Sequence, residues 1–170
     1  VRSRRQRQMC IRDSSYVMNK LIDNNLFIGY NGGFSAKDYI FEPNKKDQDK
    51  LKEIKKMFIK SGYAPISSKQ ILSDFKIKPN HLSGLLYVME SKNDIENIGN
   101  DIYIYSKSLK AILHKIKLFF SKRETMSVAQ FKNITDLSRK GAIPLLEFLD
   151  KNSYTTRLES ERIAGELLND

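Results

Sequence analysis

The chain has 170 residues, of which 40% are hydrophobic, and a formal net charge of +10 at pH 7. This length fits one or two small domains, and no apolar run approaches the roughly 18 residues that a membrane span needs. The single cysteine, Cys10, excludes an internal disulfide and a thiolate metal cluster. The positive charge favours a polyanionic partner, although lysine-rich solvated helices give similar totals.

The first 14 residues differ from the rest in composition, because arginine dominates and lysine is absent. They hold five arginines against one aspartate, so the remaining chain carries a net charge of +6. No apolar core follows the arginines, so a signal peptide is not expected. We interpret residues 1–14 as a non-native or disordered basic tail, with a native nucleic-acid-binding arm as the alternative.

Residues 15–43 have the pattern of a helix followed by a hairpin. Helical apolar spacing covers 16–24, and two strands are predicted at 26–28 and 39–41 around a glycine-bearing turn at 31–33. The glycines are not followed by the lysine and hydroxyl residue of a phosphate loop. We interpret the segment as the remnant of a preceding winged-helix domain.

Residues 44–105 predict a complete winged-helix domain. After a linker at 43–47, the elements are an amphipathic helix at 51–61, a short strand at 64–66, a helix capped by Ser67 or Ser68, a helix from Pro79, and a hairpin at 95–98 and 102–105.

Residues 106–170 repeat this order, with a helix at 107–122, a strand at 125–127, a helix at 128–133, a helix at 138–150 and a hairpin at 154–158 and 161–164. The sequence therefore predicts an α+β fold of tandem winged-helix domains, in which each helix-turn-helix is followed by a β-hairpin wing.

The start of the last long helix is basic. Ser138 is predicted to cap it, which places Arg139 and Lys140 beside the free N–H groups of the first turn, where a phosphate is favoured. Arg157 and Arg162 lie on the adjoining hairpin, so four cations are expected at one end of the domain. Pro144 either bends this helix or marks the start of its regular part.

The run SRKGAIPLLEFLD, followed by YTTR and ERI, resembles the C-terminal signature of the bacterial selenocysteine-specific elongation factor family, SelB. The resemblance is closest from Thr125 to Ile163, and the order of elements upstream fits the preceding domain of that family. It implies an RNA-binding domain that grips the selenocysteine insertion hairpin of a messenger RNA for UGA decoding. The RNA-binding residues that we infer are Ser138, Arg139, Lys140, Arg157 and Arg162.

The resemblance also implies a longer parent protein. In the family, the missing N-terminal portion is a translational GTPase that works on the ribosome in the cytoplasm. The sequence departs from the family in its wing, which usually has two arginines where this chain has Thr156 and Arg157, and a glycine where it has Glu159. Both changes make the wing less positive.

No catalytic or metal site is expected. His81 and His114 have no Cys, His or carboxylate at ligand spacing, and no nucleophile has a plausible base. We therefore expect no enzyme, no cofactor and no membrane partner, and a monomer. Two other functions stay open: a winged-helix DNA-binding transcriptional regulator, which would place a helix in a major groove, and a protein-interaction module.

Overall fold

A computed structural model describes two parts of the chain, which divides at Pro43. The first part has an antiparallel hairpin of β1, Phe27–Tyr30, and β2, Gly33–Ala36. The predicted second strand at 39–41 and the predicted tail at 1–14 lie outside the described residues. The described residues are Tyr16, Val17, Lys20, Ile22, Asn24, 27–30, 33–36 and 43–169.

The first module occupies residues 43–105. Its elements are α1 Lys45–Lys60, β3 Ile66–Ser67, α2 Ser68–Phe75, α3 Pro79–Ser91, β4 Ile95–Gly99 and β5 Ile102–Tyr105. The three strands form an antiparallel sheet in the order β3-β5-β4.

The second module occupies residues 106–169 and repeats this arrangement, with a sheet in the order β6-β8-β7. The α+β prediction of tandem winged-helix domains is therefore confirmed. None of the helices that the structure describes is long and apolar enough to cross a membrane. The elements are α4 Ser106–Phe120, β6 Thr125–Ser127, α5 Val128–Thr135, α6 Arg139–Lys151, β7 Thr155–Leu158, β8 Glu161–Ala164 and α7 Glu166–Asn169.

Helix α1 begins at Lys45, earlier than predicted, so residues 45–47 of the predicted linker are helical. The side chain of Asn44 accepts a hydrogen bond from the backbone N–H of Asp47 at 3.0 Å and caps the helix. Asp47 is buried, and its carboxylate lies 2.7 Å from the imidazole of His81 at the start of α3. This contact between distant parts of the chain fixes the first turn of α1.

Each short strand leads directly into a capped helix. The hydroxyl of Ser67 accepts from the N–H of Gln70 at 3.3 Å, which identifies Ser67 as the cap of α2. Ser127 and Gln130 form a reciprocal capping box at the start of α5. Both α2 and α5 are followed by a left-handed residue, so the third helix of each module leaves at a similar sharp turn.

Two hydrophobic clusters form the cores. The first lies within the first module and includes Ile54, Phe58 and Leu85, which are fully buried. The second is built on α4, α5 and α6, but it also includes Ile98 and Ile104 from the hairpin of the first module. The two modules are therefore joined by continuous apolar packing.

Gly165 marks a close approach of backbone to backbone at the base of the last hairpin. A Cβ atom on this residue would lie 2.2 Å from the carbonyl oxygen of Ser153, and its N–H donates to the carbonyl of Tyr154 at 3.0 Å. The clash would be with backbone, which a change of rotamer cannot relieve.

We expect Gly165→Ala to lower the free energy of unfolding by roughly 2 kcal/mol or more, because the chain must move apart at this contact. Gly141→Ala is the matched control, since a Cβ there would lie at an ordinary 3.5 Å from Pro65. The control should be neutral or more stable by up to about 1 kcal/mol, as alanine favours a helix. Urea unfolding tests this, and equal effects of the two changes would contradict it.

Candidate nucleic-acid interface

The start of α6 presents three exposed polar side chains, from Ser138, Arg139 and Lys140. Ser138 holds the N-cap position, and its carbonyl accepts from the N–H of Ala142 at 2.9 Å. Within the described part of the chain its side chain makes no capping hydrogen bond, so the prediction of a side-chain cap is wrong. The first-turn N–H groups are therefore not occupied by this hydroxyl.

Helix α6 contains Pro144 and is continuous from Arg139 to Lys151. Of the two alternatives for Pro144, a start of the regular helix at the proline is therefore wrong. The proline has no N–H to donate to the carbonyl of Lys140, four residues earlier. The basic turn is thus the first turn of the helix, and its backbone N–H groups point out of the N-terminal end.

The wing carries one exposed cation. Arg157 is exposed on β7, and its Nε donates to the carbonyl oxygen of Glu159 at 3.1 Å. Thr156 and Leu158 on either side are exposed as well, and the side chain of Leu158 near the tip is 56% exposed. Arg157 therefore stands on a surface that is only weakly positive.

Arg162 is not exposed as predicted: it is 5% exposed and paired with Asp150 of α6. Its Nε lies 3.1 and 3.0 Å from the two carboxylate oxygens, and its Nη2 lies 3.0 Å from Oδ2. An acid in the last turn of a helix is opposed by the helix dipole, which gives a sequence-level reason to expect such a cation. Three of the four predicted cations thus remain on the surface.

The side of α6 that carries Gly141, Pro144 and Phe148 faces the first module. Gly141 approaches Pro65, while Phe148 and Ile98 line a groove between α6 and β4. The sequence did not predict this contact, because it joins two modules. The N-terminal end of α6, with the exposed Ser138, Arg139 and Lys140, remains open to a large partner.

A lysine of α4 strengthens the junction between the modules. The Nζ of Lys115 lies 4.7 Å from the ring centroid of Tyr63 in the first module and donates to the carbonyl of Ile134 at 3.2 Å. Lys107, Lys110 and Lys117 of the same helix are exposed. In the residues that the structure describes, no group of three or more His, Cys, Asp or Glu side chains is arranged to hold a metal.

The wing turn places Glu159 in a backbone conformation that favours glycine. Glu159 has a φ of 52°, in the left-handed region that side chains with a Cβ adopt at a cost of about 1–2 kcal/mol. Glutamate therefore adds both backbone strain and negative charge to the wing.

Glu159→Gly should raise the free energy of unfolding by roughly 0.5–1 kcal/mol, because relief of the left-handed strain exceeds the entropic penalty of glycine. Glu159→Gln keeps the strain and removes only the charge, so it should leave stability unchanged. Thermal unfolding of the two variants provides the measurement. A gain from the glutamine variant equal to that from glycine would assign the effect to charge instead.

Comparisons with known proteins agree with this architecture. Residues 118–164 match the family model described as elongation factor SelB, winged helix. A selenocysteine-specific elongation factor from Desulfomicrobium baculatum is 24% identical over 105 residues, which cover 62% of this chain and 17% of the relative. This chain therefore spans about a sixth of the length of that relative.

Two solved structures have a similar fold. One is the mRNA-binding domain of elongation factor SelB from E. coli in complex with SECIS RNA, with a TM-score of 0.62 and 17% identity. The match covers 72% of this chain and 99% of that one. The other is a bacterial selenocysteine-specific elongation factor, EF-Sec, with a TM-score of 0.58, 21% identity and coverage of 86% of this chain and 23% of that one.

Proposed function

We propose that this chain, which is a C-terminal winged-helix fragment of the SelB type of elongation factor, binds a structured messenger RNA hairpin through its second module. The observation that carries the proposal is the exposed basic start of α6, together with the exposed Arg157 on the wing of the same module. The E. coli SelB domain was solved in complex with SECIS RNA, and the covered region of this chain has a similar fold.

The proposed contact surface consists of Ser138, Arg139 and Lys140 on α6 and Arg157 on the wing. Arg139 and Lys140 combine formal charge with the positive end of a helix, which suits the phosphates of a folded RNA. Arg162 is left out of the surface, because its guanidinium is buried against Asp150.

RNA is favoured over duplex DNA by the packing of α6. A DNA-binding winged helix lays its third helix along a major groove, which needs an open helix face. Here the first module lies against the Gly141, Pro144 and Phe148 side. An exposed helix end and a wing can instead meet a loop or bulge, which is where proteins read RNA sequence.

The chain would act as a tether for its parent protein. By the resemblance, the missing N-terminal portion hydrolyses GTP and carries selenocysteyl-tRNA to the ribosome in the cytoplasm. We propose that this fragment works as a monomer and holds that machinery at the UGA codon through the hairpin. It supplies binding and no chemistry.

We expect the fragment to bind no GTP, because neither a phosphate loop nor a set of magnesium ligands is present in its sequence. Calorimetric titration with GTP and magnesium should give no saturable heat. Saturable binding in the micromolar range would place a nucleotide site in this part of the family.

Arg139→Ala and Lys140→Ala should each weaken binding of the selenocysteine insertion hairpin by about 1 kcal/mol and reduce its salt dependence by about one ion. Melting temperatures should stay the same, because both side chains are exposed. Binding titrations at several salt concentrations provide the test.

Lys110→Ala is the matched control: it removes a lysine of α4 that is also exposed, and it should be near neutral. Competition with duplex DNA of equal length separates the two nucleic acids. Unchanged hairpin affinity in both α6 variants would remove the second module as the RNA-binding unit, and preference for the duplex would favour the transcriptional regulator.

A further inference from the structure

We propose that Asp150 and Arg162 are positioning residues for RNA binding: their buried ion pair holds the wing against α6 at a fixed angle. Arg157 on the wing and the basic start of α6 then face the same RNA. The inference rests on the proposed function and assigns a role to two residues that do not reach the ligand.

The pair ties the end of α6 to the strand that returns from the wing tip. The guanidinium of Arg162 contacts both carboxylate oxygens of Asp150 from Nε, with a further contact from Nη2. Such two-point contact restrains orientation as well as distance. Thr155 on β7 donates from Oγ1 to the same carboxylate at 2.5 Å, so Asp150 restrains both strands of the wing.

The strand register connects this pair to the exposed cation. Arg157 lies directly opposite Arg162 in the β7–β8 ladder, so the two side chains leave the same face of the hairpin. Two cations at such positions repel each other, and the carboxylate of Asp150 offsets the charge of Arg162. The ion pair thus allows Arg157 to lie on the same face as Arg162, and it fixes the position from which the Arg157 side chain extends.

The first module indicates that the fold itself does not need an arginine here. Glu90 on α3 corresponds to Asp150, and Tyr103 on β5 corresponds to Arg162. The hairpin of the first module still forms the same three-stranded sheet. The arginine–carboxylate pair is therefore particular to the module that carries the exposed basic end.

The test is a double-mutant cycle on the full 170-residue chain, with hairpin affinity and salt dependence as the readouts. Arg162→Met alone leaves Asp150, whose side chain is 20% exposed, without its cation. The double variant with Asp150→Asn and Arg162→Met, called the neutral pair below, removes both charges. Replacing a whole buried ion pair often changes the free energy of unfolding little. Arg157→Ala is measured in the wild-type chain and in this neutral-pair background.

We expect the neutral pair to weaken hairpin binding roughly fivefold, as much as Arg157→Ala does in the wild type. In the neutral-pair background, Arg157→Ala should then have no further effect, because the wing is no longer held in place. If the ion pair only stabilised the fold, Arg157→Ala would weaken hairpin binding as much in the neutral-pair background as in the wild type. That result would overturn the inference, as would a wild-type chain in which Arg157→Ala has no effect.

Thr155→Val tests the same role in case the charge variants do not fold, since it removes one hydrogen bond to Asp150 and keeps both charges. It should weaken hairpin binding by roughly twofold. Unchanged affinity in this variant and in the neutral pair would overturn the proposal. Additive losses from Arg157→Ala and Arg162→Met, with a further drop in salt slope, would do so too, because they indicate direct RNA contact by Arg162.

Glu90→Gln is the control at the matching position of the first module and should leave hairpin affinity unchanged. The proposed function fails if the wild-type chain does not prefer the hairpin to duplex DNA and the α6 variants have no effect. If those variants weaken binding while the pair variants do not, only the positioning role fails.

Discussion

The packing of α6 on two sides is the constraint on which the rest of this structure depends. One side, with Ala142, Leu145 and Leu149, fills the core of its own module, and another lies against β4 of the first module. Apolar burial of this kind is the main favourable term in folding. It leaves a partner little of the helix except its end, so the position of the basic residues at that end determines where binding can occur.

The two modules show how one fold carries different chemistry at matching places. At the start of the third helix, the first module has Lys78 and Pro79 where the second has Ser138 and Arg139. Burial, with the nearby charge of Glu96 as a smaller cause, raises the pKa of Glu90. At the same helix position the second module pairs Asp150 with an arginine. The backbone plan is shared, and the side chains distinguish the module that we propose binds RNA.

The order of elements was predictable because each depends on local signals: apolar periodicity, caps and turn residues. The burial of Arg162 was not predictable, since the alternation of residues on a short strand does not reveal that a carboxylate lies at the end of a helix 12 residues earlier. The early start of α1 was missed for a similar reason. It depends on the contact between Asp47 and His81, which are 34 residues apart in sequence, as well as on the local cap by Asn44.

Charge is distributed unevenly along α6. Its N-terminal end carries Arg139 and Lys140, whereas the groove between β4 and its C-terminal half contains Glu96 and Glu147 beside Lys151. Carboxylates outnumber ammonium groups there, and at physiological salt charges act over about 8 Å. A polyanion is therefore attracted to the helix start and not to the groove beside the C-terminal half of the helix. This polarity, together with the covered helix face, favours an end-on grip of a compact RNA loop over alignment along a duplex.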